Sequence, residues 1–228
     1  MKNDISNYYI ESGTGYPLIL LHGNGEGSDY FCNQISVFAQ KYHIYAVDTR
    51  GHGKTERGTA PFTIRQFADD LFYFMKEHNI EKANILGFSD GGNIALVFAI
   101  KYPDMVNKLI LNGANLDTSG IEENVQKIIE SEYKKASDLL KTDKSALQKF
   151  EMFGLMVNDP NIPLKELETV SAATLVIAGT NDLIKKEHTK LIADNIKNST
   201  LCFIEGDHFI ANKNPNEFNK TVLEFLQK

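Results

Sequence analysis

The chain has 228 residues, 42% of them hydrophobic and 24% charged, with a formal net charge of -6 at neutral pH. That balance suits one packed α/β domain with room for an insertion, and it excludes a disordered chain. Lysine and arginine are scattered, leaving no basic face for nucleic acid, and no apolar run approaches the ~20 residues of a membrane span.

The opening MKNDISN lacks the apolar stretch of a signal peptide, so a cytoplasmic protein is expected. Cys32 and Cys202 lie far apart within predicted regular elements, a pattern that suits buried free thiols rather than a disulfide or a metal knuckle.

Residues 5–11 alternate weakly and predict an antiparallel edge strand. Further strands are expected at 17–21, 43–48, 82–86, 106–112, 173–179 and 200–204. Several, such as PLILL and TLVIAG, are nearly continuous apolar runs, as strands covered on both faces must be. Helical patterns fall between and after them at 30–40, 63–79, 93–102, 185–196 and 215–226. This alternation predicts an α/β fold with a doubly wound, mostly parallel sheet. Residues 115–167 break the rhythm with helix-like, Lys/Glu-rich sequence such as EENVQKIIESEYKKA. A segment so long is not a plain loop, so a helical insertion is expected there, with residues 1–114 and 168–228 forming the core. Its apolar residues Phe150, Met152, Phe153, Leu155 and Met156 are expected to pack on the host domain, with the lining of a ligand cavity as the other use.

The run ILGFSDGGNI, residues 85–94, places a serine between glycines where an apolar strand gives way to an apolar helix. GFSDG matches G-x-S-x-G, the nucleophile elbow, in which glycine at positions 87 and 91 removes side chains that would collide with strand and helix. The pattern alone arises by chance in roughly one chain in fifteen of this length, so its strand-to-helix position carries the inference. A serine hydroxyl needs an imidazole to take its proton and an acid to orient that imidazole. Of the six histidines, His43 begins a strand, and His78 and His188 fall on helical patterns at expected surface positions. His22 and His52 sit in glycine-flanked turns upstream. His208, in IEGDHF, follows the last strand at the carboxyl edge, where open α/β sheets place their ligands. Asp182, after the strand ending at 179, is the expected acid, with Asp117 as the alternative. Asp207 is expected to point elsewhere.

Acyl transfer builds negative charge on the former carbonyl oxygen, so donors must wait there. The backbone N–H groups of Asp90 and Asn24 are expected to supply them, the latter from the glycine-rich LLHGNGEGS. That loop, with Asp48 beyond it, also resembles the start of a dinucleotide fingerprint, but the third glycine comes one position early and the elbow is left unexplained. No G-K-[ST] follows, against a nucleoside triphosphate loop. Asp48 and Arg50 in DTRGHGKT are expected to pin a turn beneath the oxyanion loop.

Taken in order, HGNGEGS, DTRGHGKT, GFSDGG, AGTNDLI and GDHF resemble the α/β-hydrolase superfamily, and within it the small cap-bearing serine esterases and C–C hydrolases. The resemblance runs from about residue 16 to the C-terminus. It implies Ser89 as nucleophile, Asp182 as acid, His208 as base, oxyanion amides at Asn24 and Asp90, and residues 115–167 as a helical cap. The N-terminus departs from the pattern by lacking one of the usual first antiparallel strands, and the cap is small. Serine at the elbow speaks against the dehalogenases and epoxide hydrolases, which use aspartate there. The expected activity is hydrolysis of a small carboxylic ester through an acyl-enzyme, with no metal and no organic cofactor. C–C bond or amino-ester hydrolysis on the same triad and a non-catalytic ligand-binding role are the alternatives. Glu26, Phe88, Phe153 and Met156 are the candidate substrate contacts. Asp90, with Glu26 nearby, is expected to favour substrates bearing an amine.

Overall fold

The computed structural model describes residues 4–228; residues 1–3, where the polar N-terminal stretch begins, lie outside the described residues. Seven strands form one sheet in the order β1-β3-β2-β4-β5-β6-β7. They are β1 (Tyr9–Ser12), β2 (Tyr16–Leu21), β3 (Tyr42–Val47), β4 (Ala83–Phe88), β5 (Val106–Asn112), β6 (Ala173–Gly179) and β7 (Ser199–Ile204). Only β1 runs antiparallel, pairing with β3 so that Tyr9 faces Val47. The expected edge strand at 5–11 begins later because Asp4 is drawn off the sheet, its carboxylate accepting from Arg50 and from the Thr59 amide.

Successive residues of a strand point to opposite faces, so an unbroken apolar run feeds two cores. Leu18 and Leu20 of β2, with Leu86, Ile110, Leu175 and Ile177, build one cluster. It is completed by Phe38 of α1 (Cys32–Phe38) and by Phe218 and Val222 of α8 (Pro215–Gln227). Ile19 and Leu21, with Ile85, Leu109, Leu111 and Val176, build the other. Against that face pack α2 (Ile64–Glu77), α3 (Asp90–Lys101) and α6 (Lys186–Asn195). Helix α2 is amphipathic, with Phe67, Leu71, Phe74 and Met75 inward, and Thr63 caps its first turn by accepting from the Gln66 amide. Helix α3, buried on nearly every side from Gly91 to Ala99, is apolar almost all round.

Between β5 and β6 lie α4 (Glu123–Leu140), α5 (Leu147–Asn158) and short 3-10 turns. Tyr133 of α4 stacks on Phe150 of α5, with ring centroids 5.1 Å apart. The segment is stitched to the loop after β6 by an antiparallel bridge, Ile121 to Ile184, by the Glu122 amide donating to the Leu183 carbonyl at 2.9 Å and by the Lys185 amide donating to the Gly120 carbonyl at 2.8 Å. The apolar residues of α5 divide: Leu155 joins the main core, whereas Phe153 and Met156 pack with Ile121, Ile129 and Ile184. The last short helix, α7 (Ile210–Lys213), precedes α8. No described helix is long and apolar enough to cross a membrane.

Two sequence expectations fail on burial. Cys32 is exposed, because it opens α1 on the solvent side. His188 is buried, because its Nε2 accepts from the Leu116 amide at 2.9 Å and holds the start of the insertion. Arg50 is fully buried, and its guanidinium donates through Nε and Nη2 to both oxygens of Asp70 at 2.8 and 2.7 Å and through Nη2 to Asp4 at 2.7 Å. Removing the buried partner takes away the bidentate acceptor of that charge and leaves its more open contacts. Asp70→Ala is expected to lower the unfolding free energy by about 3 kcal/mol, and Asp4→Ala, at the more open end, by less; urea denaturation of both variants measures the difference, and equal effects would refute this ranking.

Candidate active site

The order of the strands determines where a ligand can reach the sheet. The chain passes from β2 outward to β3, then returns across β2 to β4, so the connections leave opposite sides between β2 and β4. At such a switch point the loops beyond the carboxyl ends diverge and leave a crevice. Leu21 at the end of β2 lies opposite Gly87 of β4, and Phe88 lies opposite Asn112 of β5. The loops that follow carry Asn24, Ser89, Asp182 and His208.

Ser89 turns from β4 into α3 with φ 53° and ψ -122°. Its N–H donates to the Asn112 carbonyl at 2.8 Å, and its carbonyl accepts from the Gly92 and Asn93 amides at 2.8 and 3.1 Å. Both sides of the turn are at backbone contact. A Cβ on Gly87 would strike the Gly91 carbonyl, and one on Gly91 would strike the carbonyl of Leu21. Glycine is therefore required for α3 to come this close to β2 and β4.

Asp182 and His208 come from the loops after β6 and β7. The His208 Nδ1–H donates to Asp182 Oδ1 at 2.6 Å, and their side chains are only 6% and 2% exposed. Asp182 is itself oriented, with Oδ1 accepting from the Ile184 amide at 3.0 Å and Oδ2 from the Gly179 amide at 3.2 Å. A carboxylate on Nδ1 places the neutral ring's proton there and leaves Nε2 as acceptor. The ring packs on Phe88, centroids 4.8 Å apart. It also fills the space above Gly113, where φ is +63° and a Cβ would lie 2.7 Å from His208 Cε1.

His22 anchors the base of the loop after β2. Its Nδ1–H donates to the Gly23 carbonyl at 2.7 Å and its Nε2 accepts from the Thr49 amide at 3.0 Å. Burial lowers its pKa to about 4, which keeps that acceptor unprotonated. The Glu26 carboxylate folds back to accept from the Gly23 amide at 3.2 Å, and desolvation pushes it up to about 7. Asp48 accepts from the amides of Ser28 and Lys54 at 2.5 and 2.7 Å, pinning the turn beneath, as its position in DTRGHGKT suggested. Among the described residues, no protein acceptor takes the backbone N–H of Asn24 or of Asp90.

A cavity of about 520 Å³ opens over this edge and is lined by Asn24, Glu26, Phe88, Ser89 and His208. Helix α5 closes it from above with Met152, Phe153 and Met156, so residues expected mainly to pack on the host domain also face the cavity. Asp117 does not join them, because its carboxylate accepts from the Ser119 amide at 2.8 Å and caps a 3-10 turn. Asp207 pairs with Lys213. The Asp90 carboxylate also turns aside. It accepts from the side-chain Nδ2 groups of Asn24 and Asn93 at 2.9 and 3.2 Å and does not line the cavity, which leaves Glu26 as the acidic group within it. Burial raises Asp90 to about 6. Sequence reasoning missed the side-chain bonding of Asn24 and the contributions of Gln148, Lys149, Leu183 and Phe209 to the lining. The glycines around Asn24 were the one signal available. Among the described residues no group of three or more His, Cys, Asp or Glu is placed to hold a metal ion.

Comparison with known proteins agrees with this architecture. Residues 16–134, more than half of the chain, match the alpha/beta hydrolase fold family. The human protein named serine hydrolase BPHL is 29% identical over 250 residues, covering 99% of this chain and 84% of that protein. The 2-hydroxy-6-oxo-6-(2'-aminophenyl)hexa-2,4-dienoic acid hydrolase of Metapseudomonas resinovorans is 32% identical over 133 residues, 57% of this chain and 46% of its own. Among solved structures, the enol-lactonase of Burkholderia xenovorans superposes with a TM-score of 0.82 at 20% identity, covering 100% of this chain and 98% of the other, a likeness of fold.

Two outcomes test the strain and the desolvation in this site. A serine at φ 53° is strained in a way glycine is not, so Ser89→Gly is expected to exceed Ser89→Ala in stability by about 1 kcal/mol in denaturant titrations; equal stabilities would show the turn to be relaxed. Glu26 takes up a proton at higher pH folded than unfolded, so its ionised form opposes folding above its folded value of about 7. Glu26→Gln is expected to be more stable than wild type above pH 7, with the advantage shrinking as pH falls toward 4.5. An advantage independent of pH would contradict the desolvation.

Proposed function

This chain belongs to the alpha/beta hydrolase fold family, and from that premise we propose that it is a serine hydrolase cleaving a small carboxylic ester through an acyl-enzyme on Ser89. The observation that carries the reading is the 2.6 Å bond from His208 to Asp182, with His208 lining the same cavity as Ser89. A buried carboxylate bonded to an imidazole beside a serine on a strained turn is the arrangement that acyl transfer needs.

In the proposed cycle Ser89 Oγ attacks the ester carbonyl carbon while its proton passes to His208 Nε2. Asp182 stabilises the resulting imidazolium through Nδ1–H. The carbonyl oxygen becomes an oxyanion held by the Asn24 and Asp90 amides, which supply charge stabilisation only once that charge exists. Collapse breaks the bond to the alcohol, which leaves with the His208 proton. Water then gives a proton to His208 and attacks the acyl carbon, and Ser89 is released with that proton restored. Residues 115–167 act as a cap whose α5 side chains enclose the acyl or alcohol portion, with Phe88, Phe153, Met156 and Glu26 as substrate contacts. C–C and amino-ester bonds are the alternatives on the same groups.

A fluorophosphonate probe is expected to label wild type and not Ser89→Ala, and His208→Ala is expected to lose several orders of magnitude in kcat on a short-chain aryl ester. Folded wild type that resists labelling would instead favour a non-catalytic binding member of the fold. A loss below about tenfold in His208→Ala would assign the base elsewhere. Turnover of a vinylogous diketone without ester turnover would move the reading to C–C hydrolysis.

A further inference from the structure

We propose that Asn24 is a positioning residue whose side-chain amide ties the seating of α5 over the cavity to the position of its own backbone N–H. The inference rests on the reading of Asn24 as an oxyanion donor. Both protons of its Nδ2 are spent on fixed acceptors, one on Asp90 Oδ2 at 2.9 Å and one on the Met152 carbonyl at 2.8 Å. The first acceptor is rigid on the core side, since Asp90 opens the elbow helix α3 and its other oxygen accepts from Asn93 at 3.2 Å. The second belongs to the insertion, because Met152 lies in the middle of α5. A helix carbonyl retains a lone pair beyond its i+4 bond, so α5 can accept this contact without unwinding.

What makes the side chain consequential is that it holds the end of the Asn24 peptide that the loop's own bonds do not reach. The bonds from His22 and Glu26 both end on Gly23. Gly25, on the other side, has φ +78° and open space around it. The Asn24 N–H shares a planar peptide unit with the Gly23 carbonyl, so the amide is aimed from one end by the bonds to that carbonyl and from the other by the Asn24 side chain. An oxyanion donor displaced by about 1 Å loses most of its contribution, since the interaction must be preorganised to count.

The seating of α5 has a separate support that leaves the oxyanion loop untouched. Glu151, one residue before Met152, binds Arg57 through both carboxylate oxygens at 2.8 and 2.5 Å, and Gln148 on the same face donates to the Gly51 carbonyl at 3.4 Å. Positions 148, 151 and 152 therefore dock one turn of α5 onto two core loops. Loosening the outer contact should be felt at the oxyanion amide, and it should be felt through Asn24.

A double-mutant cycle in steady-state kinetics on a short-chain aryl ester tests this. Asn24→Ala is expected to lower kcat by about tenfold to a hundredfold with KM within about threefold, because the lost interaction belongs to the transition state. Glu151→Gln is expected to lower kcat by about threefold or more alone and by less than about twofold in the Asn24→Ala background. A merely structural asparagine would shift the unfolding midpoint and leave this coupling at zero. A kcat for Asn24→Ala within about twofold of wild type, or a Glu151→Gln factor equal in both backgrounds, would overturn the proposal. If Asn24→Ala does not fold, Asn24→Asp, equal in size but without the donors, carries the same comparison. Labelling of wild type by the fluorophosphonate with no coupling would sink this inference alone, whereas failure of that labelling would remove the hydrolase reading beneath it.

Discussion

Helix α3 meets strands β2 and β4 with no side chains in between, and the carbonyls of Leu21 and Gly91 occupy the space where Cβ atoms on Gly91 and Gly87 would lie. That contact forces the chain through φ 53° at Ser89, lifts the hydroxyl above the sheet edge, and sets the helix start beside the loop after β2. Strain of this kind persists only where the surroundings over-determine it. Here three backbone hydrogen bonds on Ser89, to Asn112, Gly92 and Asn93, supply the constraint. A looser approach would move the hydroxyl, the Asp90 amide and the Asn24 contact together.

Around this turn the polar groups are held by fixed protein partners, as buried polar groups must be. Asp182 accepts from two backbone amides as well as from His208, so its charge is solvated by the protein rather than by solvent. His22, buried and unprotonated, works as a bracket between the Gly23 carbonyl and the Thr49 amide. Glu26 and Asp90 have their pKa values raised by the same desolvation, to about 7 and about 6. Of the two, only Glu26 lines the cavity.

The insertion between β5 and β6 shows how a small segment can belong to both core and cavity. Leu155 is buried with the main core while Phe153 and Met156, two positions before it and one after, line the cavity. A helix period places these residues on adjoining faces of α5, so one helix can be anchored and exposed to ligand at once. The polar chain from Asn24 through Asp90 and Asn93 to Asn115 runs alongside, joining the loop after β2 to the first residues beyond β5.

Much of this was legible in the residues alone. Apolar runs such as PLILL announced strands covered on both faces, G-x-S-x-G announced a tight strand-to-helix turn, and IEGDHF at the end of the last strand placed His208 at the carboxyl rim of the sheet. These signals are local, since periodicity and turn chemistry depend on near neighbours. What the tertiary structure decided depends on partners far along the chain. Asp182 rather than Asp117 meets the histidine because β6 lies beside β7 and carries its loop to the same rim. His188 is buried and Cys32 exposed against expectation, since helical sequence names a face only after its neighbour is known. Asn24 finds Asp90 and Met152, 66 and 128 residues away, and no local pattern encodes contacts between segments that only the folded sheet brings together.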